Sequence, residues 1–194
     1  MSAGCDRDRL VAFFRGDGTD DRGRTLDEIL AQDDDWLEHT HDFVQWVFPL
    51  DAPSGVNPDA PLVTPDLVRD FAADPALRGR LQAAFERMLA FYGLQEETAT
   101  GDAPARIVPS PAWAARKGNW FVRPTHNDLR ISRILRSVSL LGLAPQSHRL
   151  LSALERLRAE ERDCGITPTA LRYWREAGAP DPAAPRSTRP RDAS

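Results

Sequence analysis

Lysine is almost absent from this sequence: Lys117 is the only one among 25 basic residues, the others being arginine. With so much alanine beside it, that bias is expected of a GC-rich genome rather than of a demand for guanidinium chemistry. Cysteine is scarce as well. Cys5 and Cys164 have no ligand-like spacing, which argues against a thiolate metal site, and they read as reduced thiols of a cytosolic protein. No secretory signal opens the chain, and no apolar run approaches the ~20 residues that a membrane-crossing helix needs. The expectation is a soluble, cytoplasmic protein. Neither sign of charge dominates: 29 acidic against 25 basic residues leave a formal net charge of −4, which argues against a surface built for nucleic acid or membrane. Marks of catalysis are missing too. No serine sits in a nucleophile elbow, no glycine-rich loop could cradle a phosphate, and neither cysteine has a histidine near it in sequence. The sequence thus predicts a non-enzymatic protein with no catalytic residue, no cofactor and no metal.

What is present is helical patterning. A chain of 194 residues with 41% hydrophobic content can bury one good core. The apolar spacing predicts an all-α fold, a single compact domain over residues 1–178 with about seven to nine helices. Residues 179–194, rich in Pro and Arg, offer nothing to bury and are expected to be a disordered tail. Leu10, Val11, Phe13 and Phe14 mark a first helix. Thr25 and Glu28 form a capping box, and Asp35 with Glu38 suggests a second. From Asp35 one helix is expected to run to Pro49, carrying Trp36, Leu37, Phe43, Val44, Val47 and Phe48. Thr64-Pro65, Asp74-Pro75 and Thr167-Pro168 are start signals with proline in the first turn. Leu77, Leu81, Phe85, Met88 and Tyr92 line one helix face, closed by Gly93. Leu94 to Pro109 lacks periodicity and reads as a surface loop. A short helical turn follows to Gly118, and Asn119 to Pro124 reads as extended. Thr125 or Asn127 caps the next helix, which buries Ile131, Ile134, Leu135, Val138 and Leu141. No strand pattern appears.

The chain is organised around His39 to Thr64. There a polar and aromatic helix gives way to a loop with four prolines, Pro49, Pro53, Pro58 and Pro61. Loops of this length are usually functional or disordered. This one keeps Phe48, Leu50, Val56, Leu62 and Val63, so it is expected to lie ordered on the protein. Trp36, Phe43, Trp46 and Phe48 are expected in the core, although aromatic anchors beside a Pro-rich loop also resemble a surface for an extended peptide. His39 and His41 would stand about 200° apart on a helix and could not easily share a metal. A basic segment, Arg106, Arg116, Lys117, Arg123, Arg130, Arg133 and Arg136, is interleaved with Trp113, Trp120 and Phe121. It could hold an anion or stack on a base. Pairing with the acidic Asp27 to Asp42 region inside the fold is the simpler expectation.

Several of these residues together resemble a known signature. Leu37-Glu38, the run from His41 to Pro49 (His-Asp-Phe-Val-Gln-Trp-Val-Phe-Pro), Asn57 and Ala60-Pro61-Leu62 look like the opioid growth factor receptor conserved domain. So do the run from Met88 to Gly93, Asn119-Trp120, the run from Asn127 to Leu135, and Leu141-Gly142-Leu143, all in the family's order. The resemblance covers roughly residues 8 to 177. It implies a receptor-like binding domain; eukaryotic members are described as receptors for an enkephalin peptide, associated with nuclear and membrane fractions without a transmembrane segment. The composition suggests a bacterial member, whose ligand is expected to differ. His41, Gln45, Trp46, Asn127, Arg130 and Arg133 are the candidate binding residues for a peptide, a protein segment or an anionic ligand. They could equally bond one another, with His41 or Gln45 reaching the loop backbone. Two alternatives stand beside this: an acid–base or metal-dependent enzyme using His41, Asp42 and His126, and a nucleic-acid module using Arg106 to Arg136.

Overall fold

A computed structural model describes residues 3–55, 57–100 and 104–178, with side chains from residue 5 onward. Val56 and the tail 179–194, for which order and disorder respectively are expected, lie outside the described residues. The chain runs α1 (Ala3–Arg15), α2 (Leu26–Leu30), α3 (Asp34–His39), α4 (Val44–Val47), α5 (Pro65–Ala73) and α6 (Pro75–Phe91). It continues through β1 (Leu94–Glu97), β2 (Arg106–Pro109), α7 (Trp113–Trp120), α8 (Asn127–Leu140), α9 (Ala144–Glu160) and α10 (Pro168–Gly178). Helices α8, α9 and α10 pack on one another, and α1 packs on α5 and α6. The small sheet bridges α6 and α9. Among the described residues no helix is long and apolar enough to cross a membrane.

Local chemistry sets most boundaries. Thr25 and Glu28 close the expected reciprocal cap on α2. Thr64 accepts from the Leu67 amide ahead of Pro65, Asp74 from the Ala76 amide ahead of Pro75, and Thr167 from the Ala170 amide ahead of Pro168. Gly93 adopts φ 76° after α6, a conformation that costs glycine nothing. At α8 the cap position falls to His126, which makes no side-chain cap bond, rather than to Thr125 or Asn127; Thr125, just before it, accepts from the Asn127 amide at 3.2 Å, and the Asn127 side chain turns inward.

Three further expectations are corrected. The helix expected from Asp35 to Pro49 is two helices. Asp33, rather than Asp35, caps α3 by accepting from the Trp36 amide at 2.8 Å, and Thr40 is extended (φ −99°, ψ 128°). The break is sustained because partners distant in sequence take over the bonds that helical continuation would have made. The supposed surface loop contains an antiparallel hairpin in which Leu94 faces Pro109 and Glu97 faces Arg106, so the fold is helical with a small sheet rather than strictly all-α. Each strand buries one large apolar side chain, Leu94 or Ile107, too few to create an alternating pattern. Asn119 and Trp120, expected to be extended, finish α7 because the buried Trp120 indole donates to the Tyr92 carbonyl at 3.1 Å.

The core is strongly aromatic. Phe13 meets Phe14 and Trp46 edge-on at ring separations of 5.7 and 5.4 Å, and Trp120 meets Tyr92 at 5.0 Å. The Pro-rich loop is tied down at its base, where the Val63 amide donates to the Leu50 carbonyl at 2.9 Å. Pro49, Ala60, Pro61 and Val63 are buried beneath it.

Candidate functional site

Helix α8 presents arginines at every third residue to the α3–α4 region. The Arg130 guanidinium donates to the Thr40 carbonyl at 2.7 Å and the Glu38 carbonyl at 3.4 Å. Arg133 donates to the Phe48 carbonyl at 3.1 Å, and Arg136 pairs with Asp51 at 2.9 Å. Glu38 and Thr40 close α3 and Phe48 closes α4, so the first two arginines cover the carbonyl ends of two short helices. Those ends carry partial negative charge and lack donors of their own. Burial draws the Arg130 guanidinium below its usual range and Arg133 down to about 10, which still leaves Arg133 charged at neutral pH.

The other candidate residues are also drawn inward. The Gln45 amide nitrogen donates to the carbonyls of Asp42 and His41, both at 3.1 Å, and holds the turn between α3 and α4. The Trp46 indole is 1% exposed and donates to Asp21 at 2.8 Å. Asn127, fully buried, donates to Glu38 at 3.2 Å and accepts from Tyr92 and Arg130. Burial pushes the Tyr92 phenol far above its usual range. Of the six candidates, His41 is exposed and Arg133 half-buried; Gln45, Trp46, Asn127 and Arg130 are buried.

His41 and His126 come together, with ring centroids 4.7 Å apart. Asp42 does not join them: Arg22 and Arg24 hold its carboxylate at 3.0 and 2.8 Å. Burial pushes the Asp42 carboxyl up, but these two guanidiniums more than offset that and hold it below the usual range. Glu38 occupies the position expected of Asp42, with an oxygen 3.4 Å from His126 Nε2. Among the described residues no group of three or more His, Cys, Asp or Glu is arranged to hold a metal ion.

Most of the basic segment is engaged within the fold. Arg106 pairs with Glu97, Arg116 with Asp34, and Lys117 with Glu161 and Asp163. Only the Arg116 pair matches the expected acidic region. Arg123 is exposed.

An open cleft of about 400 Å³ lies where the Asp20–Arg24 turn meets the Pro-rich loop. Asp20, Asp21, Arg22, Arg24, Asp42, Asn57 and Asp59 line it. Asp21, itself exposed, lines it and accepts from Trp46, from Asn57 at 3.2 Å and from Arg9 at 2.8 Å. Asp20 is buried, accepting from the Arg22 and Arg24 amides and from the Arg24 side chain. Asp59 is exposed at the rim. Sequence reasoning passed over Asp20, Asp21 and Arg24. The available signal was the Asp-Asp-Arg-Gly-Arg string, a turn chemistry completed by Gly23 at φ 77°.

Residues 20–177 match the family model described as the opioid growth factor receptor conserved region. The chain is 36% identical to the opioid growth factor receptor of Mus musculus over 141 residues, covering 72% of this chain and 22% of that protein. Against the Homo sapiens receptor it is 36% identical over 142 residues, covering 72% of this chain and 20% of that one. The Mus musculus opioid growth factor receptor-like protein 1 is 31% identical over 162 residues, covering 78% and 32%. The chain therefore spans only a fifth to a third of the length of these relatives. No solved structure matches it. With the matched region reaching from the Asp20 turn through α10, the chain belongs to the opioid growth factor receptor family.

Proposed function

We propose that this domain is a non-catalytic cytoplasmic module that recognises an extended peptide or protein segment at the cleft beside its Pro-rich loop. The observation that carries this reading is the cleft itself. Two residues of the family signature, Asp42 and Asn57, stand in its wall, and the Trp46 indole holds the lining Asp21 in place. The loop forms one rim, and its base is closed by the Val63–Leu50 hydrogen bond. Four aspartates against two arginines line the cleft; Asp20, Asp21 and Asp42 are bonded within the fold, so the exposed Asp59 at the rim is the acid that supports a segment carrying a basic group. Arg130 and the buried signature residues act here as scaffold.

The relatives' name as receptors supports a binding role, and the cytoplasmic setting is tested by fractionation of its own host. The direct test is a peptide library screened against the purified protein, followed by titration of the selected peptides against Asp59→Lys. Asp59 is exposed, so its reversal should leave stability unchanged while weakening binding by about tenfold or more. Selected peptides that bind wild type and Asp59→Lys equally would place recognition elsewhere. An enzyme reading has support only in the His41–His126 contact, and it loses Asp42 to the arginine pair.

A further inference from the structure

The geometry points to a proton-sensitive joint between the N-terminus of α8 and the connector from α3 to α4. We infer that protonation of His126 loosens the polar attachment of the 40–47 segment to α8 while the rest of the fold stays closed. The inference is independent of what the cleft binds.

His126 precedes α8 and faces the connector, where its ring meets the edge of the His41 ring. Its Nε2 is shut off from solvent and makes no hydrogen bond. The Glu38 carboxylate from α3 is 3.4 Å away but is held by Asn127, which fixes its other oxygen. Arg130, one turn along α8, directs its guanidinium to the Glu38 and Thr40 carbonyls. His39, at the end of α3, is exposed and bonded to the Asp35 carbonyl. Tyr92, just past the end of α6, reaches Asn127 with its neutral phenol. Asp128, the acid next in α8, is the other titratable group on the same turn.

A second positive charge on His126 would therefore sit between a fixed guanidinium, a second imidazole and the amide end of a helix. Glu38 alone attracts it. Burial and Arg130 hold the ring neutral at neutral pH, and Glu38 only partly opposes them. The His126 side chain is 37% exposed but its Nε2 faces the interior, so a proton on that nitrogen is accommodated by turning it toward water. The connector takes up the change in its polar contacts, because α4 is one turn long and its hydrogen bonds to α8 pass through Arg130 and Arg133, while Phe43, Val44, Trp46 and Val47 keep it seated in the core. Acidification below about 6.5, the ordinary histidine value, populates the charged form progressively.

The test is hydrogen–deuterium exchange of the full chain at pH 7.5 and 5.5, with intrinsic exchange rates corrected for pH. The Trp46, Val47 and Phe48 amides, bonded to the Phe43 and Val44 carbonyls, report on the joint, and α6 amides serve as the internal reference. In wild type, protection across 46–48 should fall by about tenfold at pH 5.5 while α6 changes little. In His126→Gln, which keeps Asp128 and Glu38, the loss should disappear. Should that variant fail to fold, His41→Gln removes the second ring and should reduce the loss. An unchanged wild type, or the same loss in the folded variant, overturns the inference.

Discussion

Beside its many surface ion pairs, this molecule uses a set of arginines as backbone ligands. Arg78, Arg80, Arg87, Arg130, Arg133, Arg156 and Arg158 all donate to main-chain carbonyls. A planar guanidinium can serve two carbonyls at once, which an ammonium on a flexible stem does poorly. At Arg130 that geometry spans Asn127, Glu38 and Thr40, so lysine is not a conservative replacement there. Arg130→Lys should cost about 2 kcal/mol and Arg130→Met about 3 kcal/mol, read from urea unfolding, because buried carbonyls lose charged donors. Trp46→Ala should cost about 3–5 kcal/mol, since it empties a fully packed indole site and strips a donor from Asp21. Loss of ligand binding in either variant would thus need a stability control before it meant contact with the ligand. Gly165 is constrained by space. A Cβ there would fall 2.4 Å from the backbone of Val122 and Arg123, while its amide donates to the Phe121 carbonyl at 2.8 Å. Gly165→Ala should therefore lower stability by about 1–3 kcal/mol in a thermal melt, the usual cost of overpacking where backbone must shift.

Elements were legible where their ends carry their own chemistry. Thr25, Thr64, Asp74 and Thr167 each cap the helix that follows them, because a short polar side chain two or three residues before a free helix amide needs no tertiary help. Thr25→Ala should cost about 1 kcal/mol, with a loss confined to denaturation midpoint rather than slope, since only one exposed cap is removed. What stayed hidden was long-range. The α3–α4 break depends on Arg130, some ninety residues away, taking the carbonyl of Thr40. The hairpin depends on Gly93 turning the chain against Trp113, and on Ile107 finding a place beneath α9, whose Arg156 bonds its carbonyl. Neither cause leaves a local periodicity. The candidate site was half legible for the same reason. The polar signature stood out, but a sequence does not distinguish a side chain that waits for a ligand from one bonded to a distant helix. The cleft, conversely, is built around an Asp-rich turn that carries no pattern beyond that of an ordinary loop.

At the scale of the whole molecule, two groups at the start of α8 should give opposing responses to acid. Burial raises the Asp128 carboxyl to about 6, against a small contrary pull from the Thr125 amide. Its ionised form is penalised in the fold, so its contribution is favourable at low pH and is lost as pH rises through about 6. His126 is held below its ordinary value by burial and Arg130, so its neutral form favours the fold. That stability is present above about 6.5 and is lost as pH falls toward the folded value. Between neutrality and mild acid the two slopes oppose each other, and the wild-type midpoint in urea should change little. Each single variant should expose the remaining slope. Asp128→Asn should be more stable than wild type at pH 7.5 and should then lose stability on acidification, because only the histidine response remains. His126→Gln should gain stability as pH falls through 6, because only Asp128 is left to titrate. Below about 4 both profiles should turn down together as Asp42 gains a proton and releases Arg22 and Arg24. Parallel profiles for wild type and both variants between pH 5 and 7.5 would show that neither group couples to folding, and the joint at the start of α8 would then be electrostatically inert.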